Sequence, residues 1–117
     1  MAGINLKKIR RVDDNLLKEI VSRIVNAVRP DKIVLFGSYA YGRPKAESDL
    51  DLLVIMNSNL PRYKRAISIY GALAGLLIPK DILVYTPEEI EEWSEVPQAF
   101  ITTAIKEGKV IYEKEQG

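Results

Sequence analysis

Asp49 and Asp51 flank Leu50 at the head of an apolar run that continues to Ile55. In an extended strand, side chains two residues apart share a face, so both carboxylates point the same way. Like charges at that range repel and raise one another's pKa, a cost that a divalent cation removes. The chain contains no histidine and no cysteine. Its metal ligands are therefore hard oxygens, which suit Mg²⁺ or Mn²⁺. Asp81 stands at the mouth of a later run, Ile82 to Tyr85. If that strand lies beside the first in suitable register, Asp81 completes the cluster, and three carboxylates can hold two metal ions for a phosphoryl-type transfer.

Gly37 and Ser38 follow a third apolar run, Ile33 to Phe36. Glycine lets the backbone approach a phosphate closely, and the amides that open a helix favour anions. The Ser38 hydroxyl adds one donor. A phosphate cradle and a cation cage thus share the stretch from Gly37 to Leu52. Metal ions held by one can bridge phosphates held by the other, and catalysis in such transfers is largely positioning and charge stabilisation.

These residues need elements to position them. Leu16, Leu17, Ile20, Val21, Ile24, Val25 and Val28 recur at helical spacing from Asp13 to Val28, with Asp13 or Asp14 as cap and Pro30 as stop. Pro61 suits the first turn of a second helix, whose stripe of Tyr63, Ala66, Ile67, Tyr70, Leu73, Ala74 and Leu77 is expected to face the core. Gly71 and Gly75 are expected to let that helix pack closely on the sheet. Thr86-Pro87-Glu88-Glu89 has the form of a capping box. A further helix is expected over Pro97 to Glu107, stopped by Gly108, and Val110 to Tyr112 as an edge strand. The alternation predicts an α/β (α+β) fold: a small mixed sheet flanked by helices, in a single domain spanning residues 1–117.

Composition narrows the function. A formal net charge of +1 gives no support to a general nucleic-acid binder. The absence of cysteine excludes a thiolate nucleophile and a disulfide frame. The stretch Ala66 to Ile78 is broken by Ser68 and two glycines and is too short to cross a bilayer. With no apolar leader behind the basic start, a cytoplasmic protein with no membrane partner is expected. Lys7, Lys8, Arg10 and Arg11 read as a solvated end.

Gly-Ser, ten residues, then Asp-x-Asp resembles the signature of the polymerase-beta-like nucleotidyltransferase superfamily. Four such fixed positions would arise by chance in about one chain per thousand of this length. Ser48 before the pair, Leu52-Leu53-Val54-Ile55 after it, and the ending from Phe100 through Ile105, Glu107-Gly108 and Val110-Ile111-Tyr112-Glu113 are similar to the minimal nucleotidyltransferase branch. The resemblance implies transfer of a nucleoside monophosphate, AMP from ATP, to a hydroxyl, with release of pyrophosphate. By position, Asp49 and Asp51 would hold two Mg²⁺ ions. Asp81 would ligate the one that activates the acceptor and could serve as its base. Gly37 and Ser38 would bind the triphosphate, with Ser48 beside them. Relatives often carry a basic residue just before the second glycine. Tyr41 stands there in this chain, and Arg43 or Lys45 is expected to supply the charge.

One domain of this size has little surface left to grip an acceptor, so a partner or a second copy of the chain is expected to supply it. Members of the minimal branch typically act beside small helical HEPN proteins, as antitoxins to ribonuclease toxins. The expected function is therefore that of a protein adenylyltransferase and antitoxin. A non-catalytic binding antitoxin and a small-molecule nucleotidyltransferase are the alternatives.

Overall fold

The computed structural model describes residues 12–42, 49–96 and 99–115. In chain order it contains α1 (Asp14–Val28), β1 (Lys32–Phe36), a 3-10 turn (Gly37–Tyr39), β2 (Leu50–Ile55), α2 (Arg62–Arg65), α3 (Ile67–Ala72), β3 (Lys80–Tyr85), α4 (Pro87–Trp93), α5 (Phe100–Glu107) and β4 (Lys109–Glu113). The expected α/β class and mixed sheet are both present. The strand order is β3-β2-β1-β4, with β1 antiparallel to β2 and β4, and β2 parallel to β3.

Local chemistry accounts for the boundaries. Asp13 caps α1 by accepting the Leu16 amide at 2.8 Å. Arg29 ends that helix in the left-handed region (φ 48°), and Pro30 follows. The capping box at Thr86 and Glu89 forms in both directions. Gly108 closes α5 because it presses on β1: a side chain there would meet the Ala104 carbonyl at 2.5 Å and the Leu35 carbonyl at 2.8 Å. Pro97 and Gln98, expected to begin α5, lie outside the described residues.

The sheet separates two cores. On one face Leu16, Ile20 and Ile24 of α1 meet Ile33, Leu35, Leu50, Leu52, Val54, Ile69, Leu73 and Ile82. On the other, Val34, Phe36, Leu53 and Ile55 meet Ile101 and Ala104 of α5. Every strand residue from Leu50 to Ile55 is buried except Asp51, which is partly exposed.

The second helix departs from expectation. The inward face of α2–α3 carries Arg65, Ile69 and Leu73, which are buried. Tyr63, Ile67, Tyr70, Ala74 and Leu77, expected in the core, are exposed, and only Leu73 of that stripe is fully buried. The segment is apolar on two faces, so periodicity alone selects a face without saying which one the sheet covers. Arg65 can lie inside because Glu89 accepts its guanidinium at 2.6 Å and the Leu60 carbonyl accepts its Nε at 2.9 Å. Nor do the glycines act as expected. A side chain at Gly71 or Gly75 would meet nothing within 4 Å, and Gly75 serves a left-handed turn (φ 89°).

Candidate active site

β2 and β3 run side by side in parallel, and their register pairs Asp51 with Asp81. β1 and β2 run antiparallel, pairing Phe36 with Asp51. Opposed residues of neighbouring strands share a face. Asp51, Asp81 and Phe36 therefore continue the α5 side of the sheet, where alternation along β2 gives Asp51, Leu53, Ile55. The last two of those residues are core and the first is the site. Asp49, two residues earlier, comes just before the strand and the start of its ladder.

The turn after β1 brings the second half of the site to the first. Gly37 has φ +73°, a left-handed conformation that glycine adopts without strain. A Cβ there would overlap Asp51 Oδ2 and lie 3.2 Å from Cγ. The Asp51 carboxylate thus lies against the bare Cα of Gly37. The Gly37 carbonyl accepts the amides of Ala40 (3.0 Å) and Tyr41 (3.3 Å), which closes the turn. The first amides of such a turn have no partner within it.

Electrostatics follow from this packing. Burial pushes the Asp51 carboxyl above its ordinary value, and the charges of Asp81 and then Asp49 push it further. The neighbouring cation gives no relief. Lys80 donates its ammonium to the carbonyls of Leu76 (3.2 Å) and Ile78 (3.1 Å), in the loop that precedes β3. The donor set is hard oxygen, and among the described residues no cation is paired with Asp51, so the residues fit a divalent cation. Among the described residues, no three acidic side chains stand close enough to form a finished cage. The site is an open shelf, with Asp49 and Asp81 exposed. Arg43, Lys45 and Ser48, expected to assist with the nucleotide, lie outside the described residues.

Residues 18–117 match the polymerase beta nucleotidyltransferase family. The chain belongs to that family. A provisionally named protein adenylyltransferase of Methanocaldococcus jannaschii is 27% identical over 104 residues, covering 86% of this chain and 98% of its own. A provisionally named nucleotidyltransferase of Sulfolobus solfataricus has a crystal structure that superposes with a TM-score of 0.61 at 21% identity, covering 88% of this chain and 82% of that one. A chain of a point-mutant toxin–antitoxin complex, MntA–HpeT, superposes with a TM-score of 0.54 at 18% identity, covering 91% and 76%. The protein is thus a nucleotidyltransferase, and its near end-to-end match to so short a relative agrees with the minimal branch. No helix among the described residues is long and apolar enough to cross a membrane.

Two contacts of this nucleotidyltransferase go beyond what the sequence indicates. Phe100, at the start of α5, meets Phe36 edge-on with ring centroids 5.7 Å apart. It is 62% exposed, which makes it an apolar wall on the face that carries Asp51. Its place at the head of the family-like ending is legible in the sequence, but its contact with Phe36 is not, because that neighbour is set by the sheet. Tyr41, at the position where a basic residue is common, donates its hydroxyl to Glu107 at 2.9 Å. That hydrogen bond, with some burial and the Glu107 charge, holds the phenol above its ordinary pKa and so protonated. Its tip is therefore engaged with the end of α5.

Proposed function

We propose that this nucleotidyltransferase moves AMP from ATP, with Mg²⁺, onto a hydroxyl of a partner protein, and that it serves as the antitoxin of a helical HEPN-type toxin. The observation that carries the reading is the contact of the Asp51 carboxylate with Gly37, beside Asp81 on the next strand. It puts the turn after β1 directly against the Asp51 carboxylate, which supports the reading because a nucleoside triphosphate and its cations need an anion-binding turn and carboxylates side by side. The name of the Methanocaldococcus relative supports the protein acceptor, and the toxin–antitoxin complex among the structural neighbours supports the antitoxin role.

Asp49, Asp51 and Asp81 would hold the divalent cations, which supply charge neutralisation for the phosphates and the acceptor oxygen. Gly37 and Ser38 bind the phosphate tail through amides and the Ser38 hydroxyl. The acceptor oxygen forms a bond to the α-phosphorus, the bond from that phosphorus to the bridging oxygen breaks, and pyrophosphate leaves with the electron pair. Asp81, at the open edge, takes the proton of the acceptor hydroxyl. Asp51, wedged between Gly37 and the neighbouring strands, fixes the distance between the tail and the reacting phosphorus.

The test is incubation of the folded protein with ATP labelled at the α-phosphate, Mg²⁺ and the protein encoded beside it. Label should appear on that protein and not when Asp49→Asn and Asp51→Asn are combined. Well-folded enzyme that transfers no label from any nucleotide would refute the reading. A purely occluding antitoxin draws on one observation, the engagement of Tyr41 with Glu107 where a cation would otherwise serve the nucleotide. Toxin neutralisation that survives the double substitution intact would favour it.

A further inference from the structure

Phe100 is a large apolar side chain left mostly exposed at the first position of α5. The sheet explains where it stands. Asp81, Asp51 and Phe36 occupy one register row across β3, β2 and β1. Opposed residues share a face, so the row reads acid, acid, aromatic on one side of the sheet. Phe100 meets the Phe36 ring with the two planes at 78° to one another. It thus stands one side chain beyond Asp51, on the flank away from Asp81.

The ring geometry leaves Phe100 a free face. In an edge-to-face pair one ring offers its edge and the other offers a face. Whichever part Phe100 takes, Phe36 covers at most one of its two faces. The seat is also firm, because Phe36 is buried with Ile101 and Ala104 in the core beneath α5. The rest of the exposed face of α5 leads back to the turn after β1. Phe100, Thr103 and Glu107 follow at steps of three and four residues, and all are exposed. Glu107 accepts the hydroxyl of Tyr41, which comes four residues after Gly37. One face of α5 therefore reaches from the aromatic pair to the segment that carries Gly37 and Ser38.

The two flanks of Asp51 differ in chemistry. The Asp81 flank is acidic and suits cations and a hydroxyl. The Phe100 flank is an uncharged ring that offers no donor to a phosphate or a hydroxyl. What such a ring receives well is another flat ring, and a nucleobase stacks on it through its π-face without hydrogen bonds. We propose that Phe100 is the base-stacking residue of this nucleotidyltransferase and takes the purine of the bound nucleoside triphosphate on its free face. The assignment rests on the reading of Asp51 and Gly37 as the cation and phosphate site, and it names what holds the other end of the nucleotide. A phenyl ring responds to the area of the base and not to the pattern on its edge. Phe100 therefore favours purines over pyrimidines and does not separate adenine from guanine.

The experiment is isothermal titration of the whole protein, with Mg²⁺, against two probes. One is α,β-methylene ATP. The other is inorganic tripolyphosphate, which has the phosphates and no base. Phe100→Ala should weaken the ATP analogue by about tenfold and leave tripolyphosphate unchanged. Phe100→Leu keeps apolar bulk against Phe36 without the π-face and should weaken the analogue as well, whereas Phe100→Tyr should bind it as the wild type does. Unchanged affinity for the analogue in Phe100→Ala or Phe100→Leu overturns the proposal. So does an equal loss for tripolyphosphate, which marks a general disturbance of the site. Wild-type protein that binds tripolyphosphate as tightly as the analogue also overturns it, and leaves the reading of Asp51 and Gly37 standing. Wild-type protein that binds neither probe refutes that reading, and the proposal falls with it.

Discussion

Replacing Asp51 by asparagine should strengthen the empty protein and weaken the loaded one. Asparagine keeps the shape of the side chain and removes one charge from the cluster. Adjacent strands are about 4.8 Å apart, so a charge separation of about 5 Å is taken for Asp51 and its register partner Asp81. At that distance two charges on a solvated edge repel by about 0.8 kcal/mol, and Asp49, taken at about 7 Å, adds about 0.6 kcal/mol. Salt screening reduces the sum to about 1 kcal/mol, or about 4 °C in melting temperature for a domain of this size. A ligand at one hundred times its dissociation constant stabilises the wild type by about 2.7 kcal/mol, which the variant should largely forfeit. Thermal melts with EDTA should therefore place Asp51→Asn above the wild type, and melts with Mg²⁺ and a non-hydrolysable ATP analogue should reverse the order. The pH dependence has a fixed sign. The folded-state pKa of Asp51 is raised, so its carboxyl weakens the fold once ionised and not below the ordinary value of 3.8. The advantage of the variant should open as pH rises through the raised value and narrow in acid. A variant that melts lower than the wild type in EDTA, or that gains as much from the nucleotide, would refute the reasoning.

Three further substitutions probe the supports of the site. Gly37→Ala forces a side chain into a left-handed backbone and into the Asp51 carboxylate. It should cost about 2 kcal/mol in urea titration and abolish nucleotide binding in a direct assay. Gly108→Ala drives a methyl group into two backbone carbonyls and Val34, and should cost about 2–3 kcal/mol with nucleotide affinity in the folded fraction unchanged. Glu89→Gln leaves Arg65 buried without its counter-charge, with about 2 kcal/mol lost at pH 7. Burial raises the Glu89 carboxyl, but hydrogen bonds from Arg65, Thr86 and Arg62 outweigh it and lower the value from 4.5 to about 2. That stabilisation is present above pH 4.5 and lost as pH falls towards 2, so denaturation curves of the two proteins should converge in acid.

The elements were legible wherever one face is apolar and the ends are chemically marked. Asp13, the capping box at Thr86 and the stop at Gly108 each mark a boundary through a local hydrogen bond or a local steric need, and such signals lie within a few residues of their effect. The acidic pair was legible as residue types and spacing; strand alternation predicts that Asp49 and Asp51 share a face, but β2 begins at Leu50 and leaves Asp49 just outside it. The juxtaposition of Asp51 with Asp81 was legible only as a condition, because it depends on which strands pair and in what register, a non-local outcome that the parallel pairing of β2 with β3 supplies. The overlap of Gly37 with Asp51 is equally non-local. The two-faced helix was expected to bury Tyr63, Ile67 and Tyr70 and instead buries Ile69 beside the expected Leu73, because apolar residues line both faces. What decided the matter was Arg65, which could turn inward only because Glu89, 24 residues away, receives it.

The site draws its precision from the cores beside it. Leu50, Leu52 and Val54 are wholly buried on one face of β2, and Leu53 and Ile55 are buried on the other. A slip of one residue would turn Asp51 towards the α1 core and shift every apolar partner to the wrong side. Two cores thus fix the register, and the register places Asp51 beside Asp81 and under Gly37. The acids sit at the strand end where burial stops, so their repulsion acts on a frame that cannot relieve it by sliding. A cation or a nucleotide can relieve it without moving that frame.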